Sequence, residues 1–105
     1  MHWEPIRFGR ADMSAPIIPL SEVRFFSQGL DHPEAATTGP DGTVYAGGEE
    51  GQVYRVNGFG EAPRLLGQSP DGFTLSLCVD ADNRIYKCDT RYHAMHVYEQ
   101  DGTWK

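Results

Sequence analysis

The sequence predicts an all-β fold of short antiparallel strands in two repeats, and three observations carry that prediction. Glycine (12) and proline (7) punctuate the 105 residues at short intervals. Apolar residues alternate with a period of two, and no stretch sustains a helical period. A strand–turn–strand pattern also occurs twice. Val44-Tyr45 returns as Ile85-Tyr86, and Asp41-Gly42 as Asp82-Asn83, at an offset of about 41 residues.

Residues 1–21 read as an irregular arm, because Pro5, Pro16 and Pro19 break any helix. Glu22-Val23-Arg24-Phe25-Phe26 reads as a strand, with Val23 and Phe25 on one face. Gly29–Pro33 turns the chain. Strands are then expected at 34–38, 43–47, 52–56 and 62–66. Asp41-Gly42 and Asn57-Gly58 are hairpin dipeptides, suited to backbone with positive φ. A second set of strands is expected at 74–79, 84–88 and 94–99, followed by the Asp101-Gly102 turn.

The second copy of the pattern fits the first over strands and turns alike. Val53–Val56 falls on Met95–Tyr98 after one inserted residue. A repeat of this length with several short strands is the mark of a propeller blade. Blade one (33–67) has four strands, whereas blade two (74–105) is one strand short. The strand at 22–27 has no blade of its own and is expected to be exchanged, as the outer strand of a neighbour's second blade.

Nine basic against fifteen acidic residues give a net charge of −6. This excludes the basic face that nucleic-acid binding needs, and it disfavours docking on an anionic membrane. No apolar run approaches membrane-spanning length, and the charged N-terminus does not read as a secretory signal. Cys78 and Cys88 are read as free thiols, which points to a reducing, cytoplasmic setting.

Residues 29–56, GLDHPEAATTGPDGTVYAGGEEGQVYRV, resemble the first blade of the senescence-marker-protein/gluconolactonase family and its strictosidine synthase-like relatives. The resemblance rests on Pro33-Glu34, the Pro-Asp-Gly turn, the tyrosine strand and Gly-x-Val-x-Arg. LSLCVDADNRIYKCDT (75–90) is similar to a later blade of the same family. The resemblance implies a six-bladed β-propeller with a divalent metal, Ca²⁺ or another, in its central channel. It also implies that Glu34 stands where the family's metal-binding glutamate begins an inner strand. The second-repeat equivalent is Leu75, so Glu34 is not a constant of the blade. The expected function is a minimal propeller module that binds a small molecule or metal in the channel. A metal-dependent lactonase or esterase-like hydrolase is the alternative.

His32 precedes Pro33-Glu34 and is the histidine placed nearest that channel mouth. Asp41, Asp80 and Asp82 are expected to bond the amides of their own turns, and Asp89 to stabilise the turn after its strand. His93 and His96, three apart on a strand, face opposite sides and do not make a metal pair. Ser76 lacks a nucleophile elbow. Arg84 is expected to pair with Val79, a register that gives Cys78 and Cys88 no direct bridge. Two blades cannot close a ring, so the chain is expected either to be a fragment of a longer protein or, in preference, to assemble. A homotrimer by N-terminal strand exchange supplies six, and it brings three copies of Glu34 around one axis.

Overall fold

Seven strands form in the computed structural model, which describes residues 17–105. β1 (Ala36–Thr38), β2 (Val44–Gly47), β3 (Gln52–Val56) and β4 (Arg64–Gln68) make one antiparallel sheet in sequential order. β5 (Thr74–Val79), β6 (Ile85–Asp89) and β7 (Ala94–Tyr98) make the second. Up-and-down sheets of this kind, joined in series, are the units of a propeller. The expected all-β class and blade pair are therefore what the chain forms. Residues 1–16 of the expected arm lie outside the described residues.

Local chemistry sets each turn. The β1–β2 turn closes with Gly39 N–H on the Thr43 carbonyl (2.8 Å), and the Asp41 carboxylate accepts the Thr43 amide (3.0 Å). The equivalent turn in the second sheet is built around Asp80, and Asn83 takes φ 62°. Val79 pairs with Ile85 and Cys78 with Tyr86, so the expected Val79–Arg84 register is one residue off. Arg84 instead stands opposite Asp80, whose amide donates to the Arg84 carbonyl (3.0 Å) and whose carboxylate binds the Arg84 amide and guanidinium, each at 3.0 Å. Cys88 pairs with Ser76, which leaves the two cysteines diagonal and free.

β4 begins two residues later than expected. Pro63 cannot donate to a ladder, and the loop before it reaches out to the N-terminal segment. Phe59 packs edge-on against Phe26 at 5.8 Å, and the Gly60 amide donates to the Phe26 carbonyl (2.8 Å). That segment is not the strand expected at Glu22–Phe26. Leu20–Glu22 form a 3-10 turn, and Val23–Phe26 continue without a sheet partner among the described residues. A strand needs a second strand, and here only the Phe26 carbonyl is met.

The fourth strand of blade two is present in outline. Val97 and Lys105 exchange both backbone hydrogen bonds (2.9 and 3.2 Å), and Tyr98 bridges to Trp104. The edge of β7 is thus covered over Val97–Glu99, not left open along its length.

The core lies between the sheets. Tyr45 and Val53 of the first meet Ile85 and Tyr98 of the second, with Leu66, Leu77 and Val79 packed around them. Gly47 permits the close approach of β2 to β5, since a Cβ there would come within 2.8 Å of Thr74 Cβ. Gln100 ties one end of this seam. Its amide donates to Tyr45 Oη (2.9 Å) and the Asn83 carbonyl (2.7 Å), and its oxygen accepts from Arg55 (3.1 Å).

Candidate functional site

At the opposite end of the sheets, the segment entering β1, the β2–β3 turn and the link from β4 to β5 are laced together by backbone bonds. Gly47 N–H donates to the Ala35 carbonyl (3.1 Å) and Glu49 N–H to Asp31 (3.3 Å). Ser69 N–H donates to Gly51 (3.2 Å), and Thr74 N–H to Gly48 (3.1 Å). Two polar constellations sit on this end.

The first is exposed. His32 Nδ1 lies 2.7 Å from Glu49 Oε2 and 3.2 Å from Asp31 Oδ1. The ligand atoms of Asp31, His32 and Glu49 fall within 4.8 Å of one another. Gln52 orients the set, because its Nε2 donates to Asp31 Oδ2 (3.1 Å) while its oxygen accepts the Glu50 amide (2.8 Å). Two carboxylates facing one imidazole nitrogen can be held together by a protonated histidine. The same mixed N/O donors fit a divalent transition metal such as Zn²⁺ or Mn²⁺ better than the all-oxygen shell of Ca²⁺. Glu34 is exposed two residues beyond His32 and stands outside this group. The structure therefore bears on a metal here through Asp31, His32 and Glu49.

The second constellation is buried at the seam. Lys87 and Asp89 project from one face of β6, both without solvent exposure. Lys87 Nζ donates to the Gly51 carbonyl (2.6 Å) and to Ser69 Oγ (2.5 Å), and it lies 3.3 Å from Asp89 Oδ2. Ser69 Oγ donates to Asp89 Oδ2 (2.6 Å). Asp89 Oδ1 accepts the amides of Phe73 (3.0 Å), Arg91 (3.1 Å) and Tyr92 (3.2 Å). Burial pushes the Asp89 carboxyl up. The Ser69 hydroxyl, the Phe73 and Tyr92 amides and Lys87 outweigh it and hold the group at about 2. Burial also lowers the Lys87 ammonium, against the pull of Asp89. His96 packs beside the pair, its Nδ1 buried, unpaired and 3.8 Å from Asp89. Burial first, then Lys87, depresses its pKa below 6.5. With every member closed off from solvent, this cluster binds sheet to sheet and offers no substrate access.

The remaining candidates fall where turn chemistry puts them. Asp89 stabilises the β6–β7 turn as expected, and Asp41 that between β1 and β2. Asp80 accepts the amides of Arg84 and Asp82, the Arg84 guanidinium and the Tyr86 hydroxyl, which together keep it near 2 despite partial desolvation. Asp82 pairs with Arg84 at 3.0 Å. His93 is exposed in a turn at φ 52°, away from the buried His96. Ser76 is exposed on β5. Asp31, Glu49, Lys87 and Ser69 were not singled out by the sequence; the alternation Ile85, Lys87, Asp89 along one strand face was the available signal for the buried pair.

Neither a comparison with curated proteins nor one with solved structures finds a match to the chain. A family model described as strictosidine synthase-like, N-terminal, matches residues 19–56. That stretch runs from the N-terminal segment through β3, and so includes Asp31, His32, Glu34 and Glu49. The resemblance carried by Gly29–Val56 and the family match thus agree, and over residues 19–56, about a third of its length, the chain is similar to the strictosidine synthase-like family.

Proposed function

We propose that the chain is a blade pair of a strictosidine synthase-like propeller that binds a divalent metal, or a small polar molecule through it, where the inner strands begin. The convergence of Asp31, His32 and Glu49 supports this reading. Two segments, the one entering β1 and the β2–β3 turn, are pinned by backbone bonds so that two carboxylates and an imidazole meet. Glu34, exposed beside them, is available to the bound group's open side. Binding is the preferred role because Asp31, His32 and Glu49 are tied to one another at this end.

Calorimetric titration with Zn²⁺, Mn²⁺ and Ca²⁺ tests it. Binding should weaken at least tenfold in Asp31→Asn and in Glu49→Gln, in line with loss of a metal ligand. Unchanged affinity in both variants defeats the site. Glu34→Ala reports whether that carboxylate joins the shell. A parallel screen of lactones and aryl esters decides the hydrolase alternative, for which metal-dependent turnover lost in Glu49→Gln is the signature.

A further inference from the structure

The outward face of the second sheet repeats, position for position, the face with which the first sheet grips it. In the first sheet, Thr37, Tyr45 and Arg55 stand in one cross-strand row, and Gly47 pairs with Val53 in the next. This face meets the second sheet: Tyr45 and Val53 enter the shared core, Gly47 abuts Thr74, and Arg55 reaches Gln100. The repeat carries these positions onto Cys78, Tyr86 and Val97 in one row, and Cys88 and Met95 in the next. The rows match, but this second face has no sheet against it. Met95 is 58% exposed and Leu75, at the β5 bulge, 45%.

The other end of the chain has the complementary fault. Ile17, Ile18, Leu20, Val23 and Phe25 are exposed, Leu20 at 85% and Phe25 at 74%. They ride on an extended segment held to the β3–β4 loop by Phe26 and by Ser27 Oγ on the Glu61 carbonyl (2.7 Å). Exposed apolar surfaces of this kind mark interaction sites.

We infer that the outward face of the second sheet, formed by Cys78, Tyr86, Cys88, Met95 and Val97, docks the N-terminal end of a second copy of this chain, head to tail. Continuity with the internal seam argues for it: the face occupies the repeat positions through which the first sheet meets its neighbour, keeps the tyrosine (Tyr86 for Tyr45) and puts the apolar Val97 and Met95 where Arg55 and Val53 stand. Docking proceeds through the face, because Thr103–Lys105 covers the β7 edge over Val97–Glu99. The two surfaces differ, so the contact is heterologous and association continues past the dimer until a ring closes. Six blades close with three copies. The inference does not depend on the metal site.

Light scattering across the micromolar range tests it. Wild type should show masses at multiples of 11.7 kDa that exceed the dimer. Met95→Glu and Phe25→Glu alter exposed side chains, so each should keep the wild-type circular dichroism and melting curve while falling to the mass of one chain. Mixing the two variants is the decisive arm. Each retains one intact surface, so the mixture should form a one-to-one dimer and stop there. A single-chain mass for wild type at every concentration overturns the proposal and leaves the face to a different protein. So does a mixture that stays monomeric, or a Met95→Glu variant that assembles like wild type.

Discussion

Lys87 and Asp89 leave the same face of β6 and meet at 3.3 Å with no solvent exposure on either side chain. The ammonium is shared with Gly51 and Ser69 of the preceding blade and its link, so the pair joins two sheets by one cation. Removing one partner of such a pair strands the other charge. Asp89→Ala should cost about 3–5 kcal/mol, read as a fall in urea midpoint at constant slope. Lys87→Met leaves Asp89 its hydroxyl and amide donors and should cost less, about 1–3 kcal/mol.

Acid should loosen the same seam in two stages. His96 is held below 6.5 in the fold, so the unfolded chain takes up a proton first and stability declines as pH falls below that value. Asp89, lowered from 3.8 to about 2, contributes stability that is complete above 3.8 and is lost as pH falls toward 2. That second stage is worth about 2 kcal/mol. Urea midpoints measured from neutral pH downward should show both declines, and in Asp89→Asn the second should shrink to the part that Asp80, also held near 2, contributes.

Trp104 acts as a cover on this cluster. Its ring stacks on Tyr98 at 5.8 Å and 21°, and lies 4.6 Å from His96. Trp104→Ala should lower stability by about 1–2 kcal/mol. Because water would then reach the imidazole, the same change should move the His96 titration, followed by NMR, up toward 6.5. An unmoved titration would show that burial by Trp104 is not its cause.

Gly47→Ala is expected to wedge the sheets apart, because the added methyl meets Thr74 Cβ and its carbonyl oxygen at 2.8 and 3.2 Å. Overpacking of this kind costs about 1–3 kcal/mol. Thr74→Ala should recover part of the loss, which thermal melts of the double variant can measure.

Strand positions, the blade repeat and the turn aspartates were legible because each is written locally, in alternation and in the Asp-Gly and Asp-Asn dipeptides. The β4 start and the fate of Glu22–Phe26 were not. Both depend on Phe26 meeting Phe59 across more than thirty residues, and local pattern carries no trace of such a contact. The Val79–Arg84 register failed because the turn is one residue shorter, with the Asp80 amide on the Arg84 carbonyl and the Asp80 carboxylate on the Arg84 amide and guanidinium. Glu34 was visible as a residue type at an expected strand start, but β1 begins two residues later, at Ala36, and leaves Glu34 in the segment before it. Asp31 and Glu49 were not, since their loops meet only in the fold, through the Glu49 amide on the Asp31 carbonyl and the Gln52 side-chain amide on the Asp31 carboxylate.

The repeat also makes the array directional. Where the second blade carries Lys87 and Asp89, the first carries Ala46 and Gly48 at the equivalent positions. The first blade therefore has acceptors to receive a cation but none to send, and the second has the cation. A chain with the two blades exchanged in order would set Lys87 against a surface without Gly51 and Ser69 behind it. Blade order is thus written as a donor–acceptor polarity along the chain, and duplicating or shuffling either blade would break the grammar that keeps neighbours in sequence.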